Sequence, residues 1–244
     1  MRMLSLYSIK GGVGKTASAV NLAAEAASQG YRTLLWDLDP QAATTFYLQI
    51  KPRIRGGVEK LVKGKSSFDK VIRATQIPHL DVLPASLASR DMDQLLEKRG
   101  NSHLRQILKD VRDDYDLVIL DCPPTLSHLS ENMFTSVDAI LVPLVPTTLS
   151  LRTLRQLQQF LDDDNLACPV WPFITLADRR RSLHREVMAG LGREWPLRLS
   201  TDIPAASVVE RMGVERAPVA SFAPSSPAAK AYRGLWNEIQ QRLG

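Results

Sequence analysis

Short apolar runs alternate along the chain with longer segments that repeat apolar residues at helical spacing. The strand-like runs cover residues 3–7, 31–36, 79–85, 117–120, 139–143 and 170–176. Segments with the three-to-four-residue repeat of amphipathic helices cover residues 17–28, 101–114, 150–162 and 228–243. This alternation of strands and helices predicts an α/β protein.

Two of the predicted helices have apolar stripes whose partner the pattern alone leaves open. In residues 150–162 the stripe consists of Leu151, Leu154, Leu157 and Leu161. In residues 228–243 it consists of Ala231, Leu235, Ile239 and Leu243. Packing in the core is the favoured interpretation of both stripes. A dimer interface is the alternative for the first stripe.

The composition favours one cytoplasmic domain. The chain has 244 residues and is 44% apolar, which is enough for a substantial core, so we expect residues 1–244 to form a single domain. Because the first strand begins at Met3 and no apolar run reaches about 18 residues, we expect no signal peptide and no membrane span. Cys122 and Cys168 lie beside apolar runs, and we expect both to be buried thiols.

The positive charge is concentrated in arginine over the second half of the chain. Lys and Arg number 31 and Asp and Glu number 26, which gives a net charge of +5. This charge is compatible with an anionic partner but does not identify one. No lysine occurs between Lys109 and Lys230, so the basic residues of that segment are arginines, the better side chains for forked phosphate contacts.

A glycine-rich loop joins the first predicted strand to the first predicted helix. Residues 8–16 read SIKGGVGKT. Three glycines let the backbone approach a polyphosphate closely, and the start of the next helix adds its N–H groups: these glycines are Gly11, Gly12 and Gly14. Lys15 can reach the outer phosphates, and the Thr16 hydroxyl can bind a phosphate-bound Mg²⁺. The loop is therefore predicted to be a phosphate-binding site.

Carboxylates follow two other buried strands. Asp37 and Asp39 come at the end of the second run, and their i, i+2 spacing on an extended segment places them on one side. Asp121 ends the 117–120 run and is followed by two prolines. Because ligands bind at the carboxyl ends of parallel strands, we expect these acids to lie near the phosphate loop.

The loop resembles that of the deviant Walker A ATPases, a family that includes ParA and MinD. Their pattern x-K-G-G-x-G-K-[ST] matches from Lys10 to Thr16, and the segments at Asp37–Gln41 and Asp121–Pro124 are similar to the family's later motifs. The resemblance implies a P-loop NTPase fold with a mostly parallel twisted sheet and helices on both faces. It also implies slow, partner-stimulated ATP hydrolysis with ATP and Mg²⁺ as cofactors.

The resemblance assigns roles residue by residue. Lys10 would reach across an ATP-dependent homodimer to the partner's phosphates. Asp37 and Asp121 would hold the metal with Thr16, and Asp39 would orient the attacking water. The nucleotide-binding residues would be Lys10, Gly11, Gly12, Val13, Gly14, Lys15, Thr16 and Ala17, and the catalytic ones Lys10, Lys15 and Asp39.

A later segment is similar to the family's Thr-x-Ile-Pro sequence, which lies near the adenine. This similarity implies that Ile203 and Pro204 contact the base. The arginine that commonly follows this proline in ParA proteins is replaced here by Ala205.

ParA proteins bind nonspecific DNA as ATP-bound dimers, and a ParB-like or other cargo adaptor stimulates hydrolysis. The resemblance therefore implies a protein associated with the nucleoid that positions a plasmid, a chromosome or a large protein cargo. The arginines expected to contact DNA are Arg152, Arg179, Arg180, Arg181, Arg185 and Arg211. The alternative is a salt-bridged surface, because acidic residues lie in the same half of the chain.

Another function remains open within the family. MinD proteins bind membranes through a basic amphipathic helix at the C-terminus, and other members act as scaffolds that position a cellular apparatus. Residues 228–243 contain Lys230, Arg233 and Arg242 as their cations and are more typical of a closing core helix. We therefore expect no membrane contact.

Overall fold

A seven-stranded sheet forms the centre of the part of the chain that the structure describes. The structure is a computed structural model that describes residues 1–51, 67–85, 103–125 and 127–244. The strands are β1 (Arg2–Leu6), β2 (Thr33–Asp37), β3 (Arg73–Ala74), β4 (Leu80–Leu83), β5 (Leu117–Asp121), β6 (Ala139–Leu144) and β7 (Val170–Ile174). They lie in the order β3-β4-β2-β5-β1-β6-β7, and β3 alone among them pairs antiparallel to its neighbour.

Helices connect the strands. In chain order they are α1 (Lys15–Ser28), α2 (Ala43–Tyr47), α3 (His103–Ile107), α4 (His128–Ser136), α5 (Thr148–Asp163), α6 (Ser182–Glu194), α7 (Ser207–Glu210), α8 (Met212–Glu215), α9 (Val219–Phe222) and α10 (Pro227–Leu243). Two 3-10 turns cover Phe68–Lys70 and Leu108–Val111. Among the helices so described, none is both long and apolar enough to cross a membrane.

Alternating side chains of the strands give the sheet two apolar faces. In β5, Val118 and Leu120 pack with residues of α3, α4, α5 and α6, whereas Leu117 and Ile119 pack with residues of α1 and α10. Both faces are therefore covered by helices, as expected for a mostly parallel sheet. This arrangement confirms the predicted fold class.

All the predicted strands and helices are present, but not every observed element was predicted. Helix α4 and the short helices α7, α8 and α9 were not predicted from the sequence. Strand β3 was not predicted, because a two-residue edge strand leaves no apolar run in the sequence. The helix predicted for residues 101–114 is α3 followed by a 3-10 turn that ends at Val111, and residues 101–102 lie outside the described residues. Cys122 is buried as expected, but Cys168 is only partly buried because it precedes β7 at the sheet's edge.

Both apolar stripes pack in the core. In α5, Leu154, Leu157 and Leu161 are buried, and Leu151 packs against the same cluster. This confirms core packing as the favoured interpretation of that stripe. In α10, the stripe and its neighbours include the buried residues Tyr232, Leu235, Trp236 and Ile239, with Ala231 and Leu243 partly buried. The apolar face of α10 is thus covered by the protein itself.

The buried side chain of Asn21 joins α1 to the C-terminal part of the chain. Its Oδ1 accepts a hydrogen bond from the backbone N–H of Val219 at 2.8 Å. Its Nδ2 donates to the carbonyl of Ala17 at 2.7 Å and lies 3.1 Å from Sδ of Met212. Since α1 begins in the phosphate loop, this contact helps to fix the loop relative to α8 and α9.

We expect Asn21→Ala to lower the free energy of unfolding by about 1 to 3 kcal/mol, because the buried N–H of Val219 would lose its acceptor. Urea denaturation of the two proteins measures this difference. Asn237→Ala is the control: Asn237 is exposed on α10 and bonds Gln29, so its loss is expected to change stability by less than about 0.5 kcal/mol. Equal losses in the two variants would contradict the role of Asn21.

Candidate functional site

The glycine-rich loop is open toward solvent and leads directly into α1. Gly12 and Gly14 have positive φ angles of 71° and 83°, which glycine adopts at little cost. Gly14 is the N-cap residue of α1 and provides no side-chain cap. The first N–H groups of α1 therefore remain available to an anion, as a phosphate-binding loop requires.

A threonine at the end of β7 holds the middle of this loop. The buried Thr175 donates a hydrogen bond through Oγ1 to the carbonyl oxygen of Val13 at 2.8 Å. Its own N–H donates to the carbonyl of Leu144 in β6 at 2.9 Å. The loop is thus fixed to two strands besides β1. Sequence reasoning did not identify Thr175, because the residue has no motif around it that points to this contact.

The side chain of Lys15 is largely buried, with 8% of the residue exposed. Burial lowers the pKa of Lys15, and attraction to the carboxylates of Asp121 and Asp39 opposes that shift. The lysine thus lies in a site where opposite charges favour its ammonium form. Such a group can neutralise phosphate charge.

Asp37 and Asp121 end two neighbouring strands in the same register. Asp37 of β2 pairs with Asp121 of β5, and both residues are 1% exposed. Burial raises the pKa of Asp37 to about 7, and repulsion from Asp121 adds to the shift. Burial likewise raises the pKa of Asp121 to about 6. Two buried carboxylates at one edge of a sheet need cations or hydrogen-bond donors to remain charged.

Two adjacent threonines of α2 supply such donors. The hydroxyl of Thr44 donates to Oδ2 of Asp121 at 2.8 Å. Thr45 donates to Oδ2 of Asp37 twice, from its hydroxyl at 2.6 Å and from its backbone N–H at 2.9 Å. Neither threonine was singled out from the sequence. The sequence feature that could have identified them is a pair of polar residues on the inner side of a short helix, directly after an acidic motif.

The second carboxylate oxygen of Asp121 fits a magnesium site. Its Oδ1 is buried and has no hydrogen-bond partner among the described residues. The Thr16 hydroxyl lies close enough to this carboxylate to oppose the rise in its pKa. A hydroxyl and a carboxylate oxygen are hard ligands of the kind that Mg²⁺ binds directly or through its waters. The residues present therefore fit the ion.

Asp39 lies just beyond β2 in a tight turn. It is partly buried, and its Oδ1 accepts a hydrogen bond from the N–H of Gln41 at 2.9 Å. Its carbonyl accepts from the N–H of Ala42 at 2.9 Å, and Ala42 has a φ of 56°. The turn thus places Asp39 within the electrostatic influence of Lys15 and Asp121.

The segment around Ile203 and Pro204 is attached to the end of β7. The N–H of Ile203 donates to the carbonyl of Ile174 at 2.8 Å, and Pro204 forms a bridge with Ala177. Ile203 is buried, while Pro204 is partly exposed. Because Thr175 lies between these contacts and also holds the phosphate loop, the segment is placed beside the site.

The second lysine of the loop, Lys10, is partly exposed. Its backbone N–H donates to the hydroxyl of Ser8 at 3.3 Å. Among the described residues its ammonium group takes part in no ion pair that the structure records.

Three of the candidate DNA-binding arginines form ion pairs with acidic residues of the same chain. Arg179 pairs with Asp202 at 3.4 Å, Arg180 with Asp178 at 2.9 Å and Arg211 with Glu215 at 2.5 Å. These contacts correspond to the alternative of a salt-bridged surface. The arginines remain exposed, however, and an exposed ion pair contributes only about 0 to 1 kcal/mol. A phosphate could therefore replace the acidic partner.

The other candidate arginines lie in or near the same loop, apart from Arg152 on α5. Arg185 donates to the carbonyls of Arg179 and Arg180 at 2.8 and 3.1 Å, which orders the loop. Arg181 is exposed at the start of α6. The structure therefore brings Arg179, Arg180, Arg181 and Arg185 together. Nothing in the described contacts connects them to Arg152 or Arg211.

The parallel sheet, the glycine loop and the paired aspartates define a P-loop nucleotide-hydrolysing protein. A protein-family model described as AAA domain matches residues 1–165. The chromosome-partitioning ATPase Soj of Treponema pallidum is 32% identical over 246 residues, covering 96% of this chain and 95% of that protein. The sporulation initiation inhibitor protein Soj of Bacillus subtilis is 30% identical over 249 residues and covers 98% of both chains.

A solved structure shares the fold over the whole length of this chain. Cobyrinic acid a,c-diamide synthase from Mycobacterium smegmatis, with bound ADP and magnesium, aligns with a TM-score of 0.83 at 27% identity, covering 100% of this chain and 95% of that one. The chain belongs to the ParA/MinD family of P-loop ATPases. It is an ATPase of the ParA type.

Proposed function

We propose that this protein is an ATP-gated dimeric switch that binds nonspecific DNA and hydrolyses ATP to position a plasmid, a chromosome or a large protein cargo. The observation that carries this proposal is the site at the carboxyl ends of the strands. An open phosphate loop, a buried lysine and two hydrogen-bonded aspartates lie together there. Its similarity over nearly the full length of a chromosome-partitioning ATPase supports the physiological role. Residues 1–244 act as one ATPase domain.

ATP and Mg²⁺ are the cofactors of this site. The backbone of residues 10–17 binds the phosphates, with Lys15 as the neutralising charge. The residues that would hold the metal ion are Thr16, Asp37 and Asp121. When bound, Mg²⁺ reduces the negative charge on the phosphates during transfer.

Two further residues complete the catalytic group, and two others recognise the base. Asp39 accepts a hydrogen bond from the attacking water and orients it toward the outer phosphate. Lys10 crosses the dimer interface to the partner's phosphates, which makes the dimer dependent on ATP. Ile203 and Pro204 contact the base from the end of β7.

The DNA-binding surface includes the ordered loop that contains Arg179, Arg180 and Arg181. Its exposed guanidinium groups can exchange weak ion pairs for DNA phosphates, and contacts of this kind do not read the base sequence. Arg185 belongs to the same ordered loop region, and Arg152 and Arg211 are further DNA contacts separate from this loop. DNA binding would place the protein on the nucleoid within the cytoplasm, and a ParB-like or other cargo adaptor would stimulate hydrolysis.

A membrane-surface function like that of MinD is disfavoured by α10. Tyr232, Trp236 and Ile239 are buried against the protein, so the apolar face of this helix is already occupied. A scaffold that positions a cellular apparatus remains compatible with the same ATP-dependent switch.

Two substitutions in the nucleotide site distinguish ATP binding from ATP hydrolysis. We expect Lys15→Ala to lose ATP binding by at least about tenfold, because the phosphates lose their neutralising charge. Asp39→Ala should bind ATP with little change and lose turnover by about 100-fold. Equilibrium binding of a fluorescent ATP analogue and release of phosphate measure the two effects. Normal turnover in Asp39→Ala would refute the assignment of Asp39.

The arginine loop has a separate test. We expect replacement of Arg179, Arg180 and Arg181 by alanine to abolish ATP-dependent retention on nonspecific duplex DNA while ATP binding stays unchanged. Each lost phosphate contact lowers both the affinity and the slope of its salt dependence. DNA retention across a salt series is the measurement.

A matched triple variant controls for the loss of three charges. The control replaces three arginines near the amino ends of strands β1, β2 and β5, whereas the arginine loop follows the carboxyl end of β7. These arginines are Arg2, Arg32 and Arg112. Their replacement by alanine should leave most of the DNA retention in place. If the two triple variants lose retention equally, net charge and not the arginine loop explains the binding.

A further inference from the structure

The hydroxyl of Thr44 holds one oxygen of Asp121 inside the protein. Thr44 is 0% exposed, and its Oγ1 lies 2.8 Å from Oδ2 of Asp121. An ionised carboxylate has only acceptors, so the hydroxyl donates its one hydrogen to this oxygen. Hydrogen bonds to a charged acceptor are stronger than neutral ones. The contact joins α2 to the end of β5, although the two residues are 77 positions apart.

The other oxygen of the same carboxylate, Oδ1, is available to a bound ion. Oδ1 of Asp121 is buried without a hydrogen-bond partner among the described residues. A carboxylate rotates easily about its last side-chain bond, which has a broad two-fold preference. A donor fixed on Oδ2 restricts that rotation. The anchored carboxylate therefore presents Oδ1 in a constant position before any ion binds.

The backbone at Thr44 is held by its neighbour Thr45, whose contacts do not involve Asp121. The neighbouring Thr45 donates to Asp37 from both its hydroxyl and its N–H. The same Thr45 hydroxyl accepts a hydrogen bond from the N–H of Ala85, just beyond β4, at 3.0 Å. The start of α2 is thus fixed to β2 and to the end of β4. A donor on such a support can orient a carboxylate, whereas a mobile donor would follow it.

We propose that Thr44 is a positioning residue of the magnesium site, whose hydroxyl anchors Oδ2 of Asp121 and keeps Oδ1 available to the ion's ligand shell. The inference concerns the ATPase site alone and does not depend on DNA binding or on a cargo. Residues that orient the groups around a metal typically contribute 10- to 100-fold to metal affinity or activity. Loss of the hydroxyl therefore raises the Mg²⁺ requirement without removing the phosphate loop.

Thr44→Val and Thr44→Ser distinguish the hydroxyl from the packing of the side chain. Valine has nearly the same shape but no hydroxyl, and serine keeps the hydroxyl but lacks the methyl group. The probe is a fluorescent ATP analogue bound to the full chain while Mg²⁺ is titrated. We expect Thr44→Val to raise the half-saturating Mg²⁺ concentration at least about tenfold, and Thr44→Ser to stay within about threefold of the unmodified protein.

Two results would overturn the proposal. One is an unchanged Mg²⁺ midpoint in Thr44→Val. The other is an equal shift in Thr44→Val and Thr44→Ser, which would assign the effect to packing. Binding of the analogue in EDTA should be the same in all variants, since the phosphate loop is untouched.

Controls keep the test independent of folding. Thermal unfolding without nucleotide checks that each variant is folded. If Thr44→Val does not fold, Thr44→Ala takes its place, and the same two results would overturn the proposal. Thr135→Val is the matched control, because the Thr135 hydroxyl bonds carbonyls within its own helix α4. Its Mg²⁺ midpoint should equal that of the unmodified protein, and a similar shift there would contradict a specific role of Thr44.

Discussion

Two buried carboxylates at the in-register ends of β2 and β5 are the constraint on which the site depends. Asp37 and Asp121 face the same crevice from neighbouring strands, and burial raises the pKa of both. Keeping them charged requires donors and cations in fixed positions. Thr44 and Thr45 of α2 supply donors, and Lys15 at the start of α1 supplies a positive charge. Two strands and two helices are thus placed by one electrostatic requirement.

The end of β7 is the second support of the site. Thr175 holds the phosphate loop through Val13, and Ala177 pairs with Pro204 of the segment proposed to contact the base. The arginine loop follows at once, and its Arg179 pairs with Asp202, which is next to Ile203. The proposed nucleotide contacts and the proposed DNA contacts therefore share one short stretch of backbone. Such continuity is the physical basis on which ATP could influence DNA binding.

The sequence was sufficient for the fold class and for recognising the residues that we propose bind phosphate. Glycines 12 and 14, Lys15 and the strand-ending aspartates are recognisable because a phosphate loop needs those residue types at fixed spacing. Thr44, Thr45 and Thr175 could not be found in this way. A hydroxyl that braces a carboxylate or a carbonyl depends on which strands become neighbours, and that is decided by packing across the whole sheet.

The ion pairs of the surface arginines were less predictable from the sequence than the residues of the nucleotide site. The arginines were visible as a composition bias, and a salt-bridged surface was recognised as the alternative. The sequence did not show that Arg179 pairs with Asp202, because these two residues are 23 positions apart and meet only in the folded loop. Charge counting was therefore compatible with an anionic partner but did not show which arginines already form ion pairs. The functional interpretation of these arginines depends on a direct binding experiment.

Retention of the purified protein on nonspecific duplex DNA, compared with ATP, with ADP and without nucleotide across a salt series, tests the central claim most directly. We expect retention with ATP alone, falling steeply as salt rises, because phosphate contacts release counterions from DNA. Equal retention in all three nucleotide states would contradict the proposed gating by ATP. Absence of retention in every state would contradict DNA binding and leave an ATPase whose arginines serve the protein's own surface.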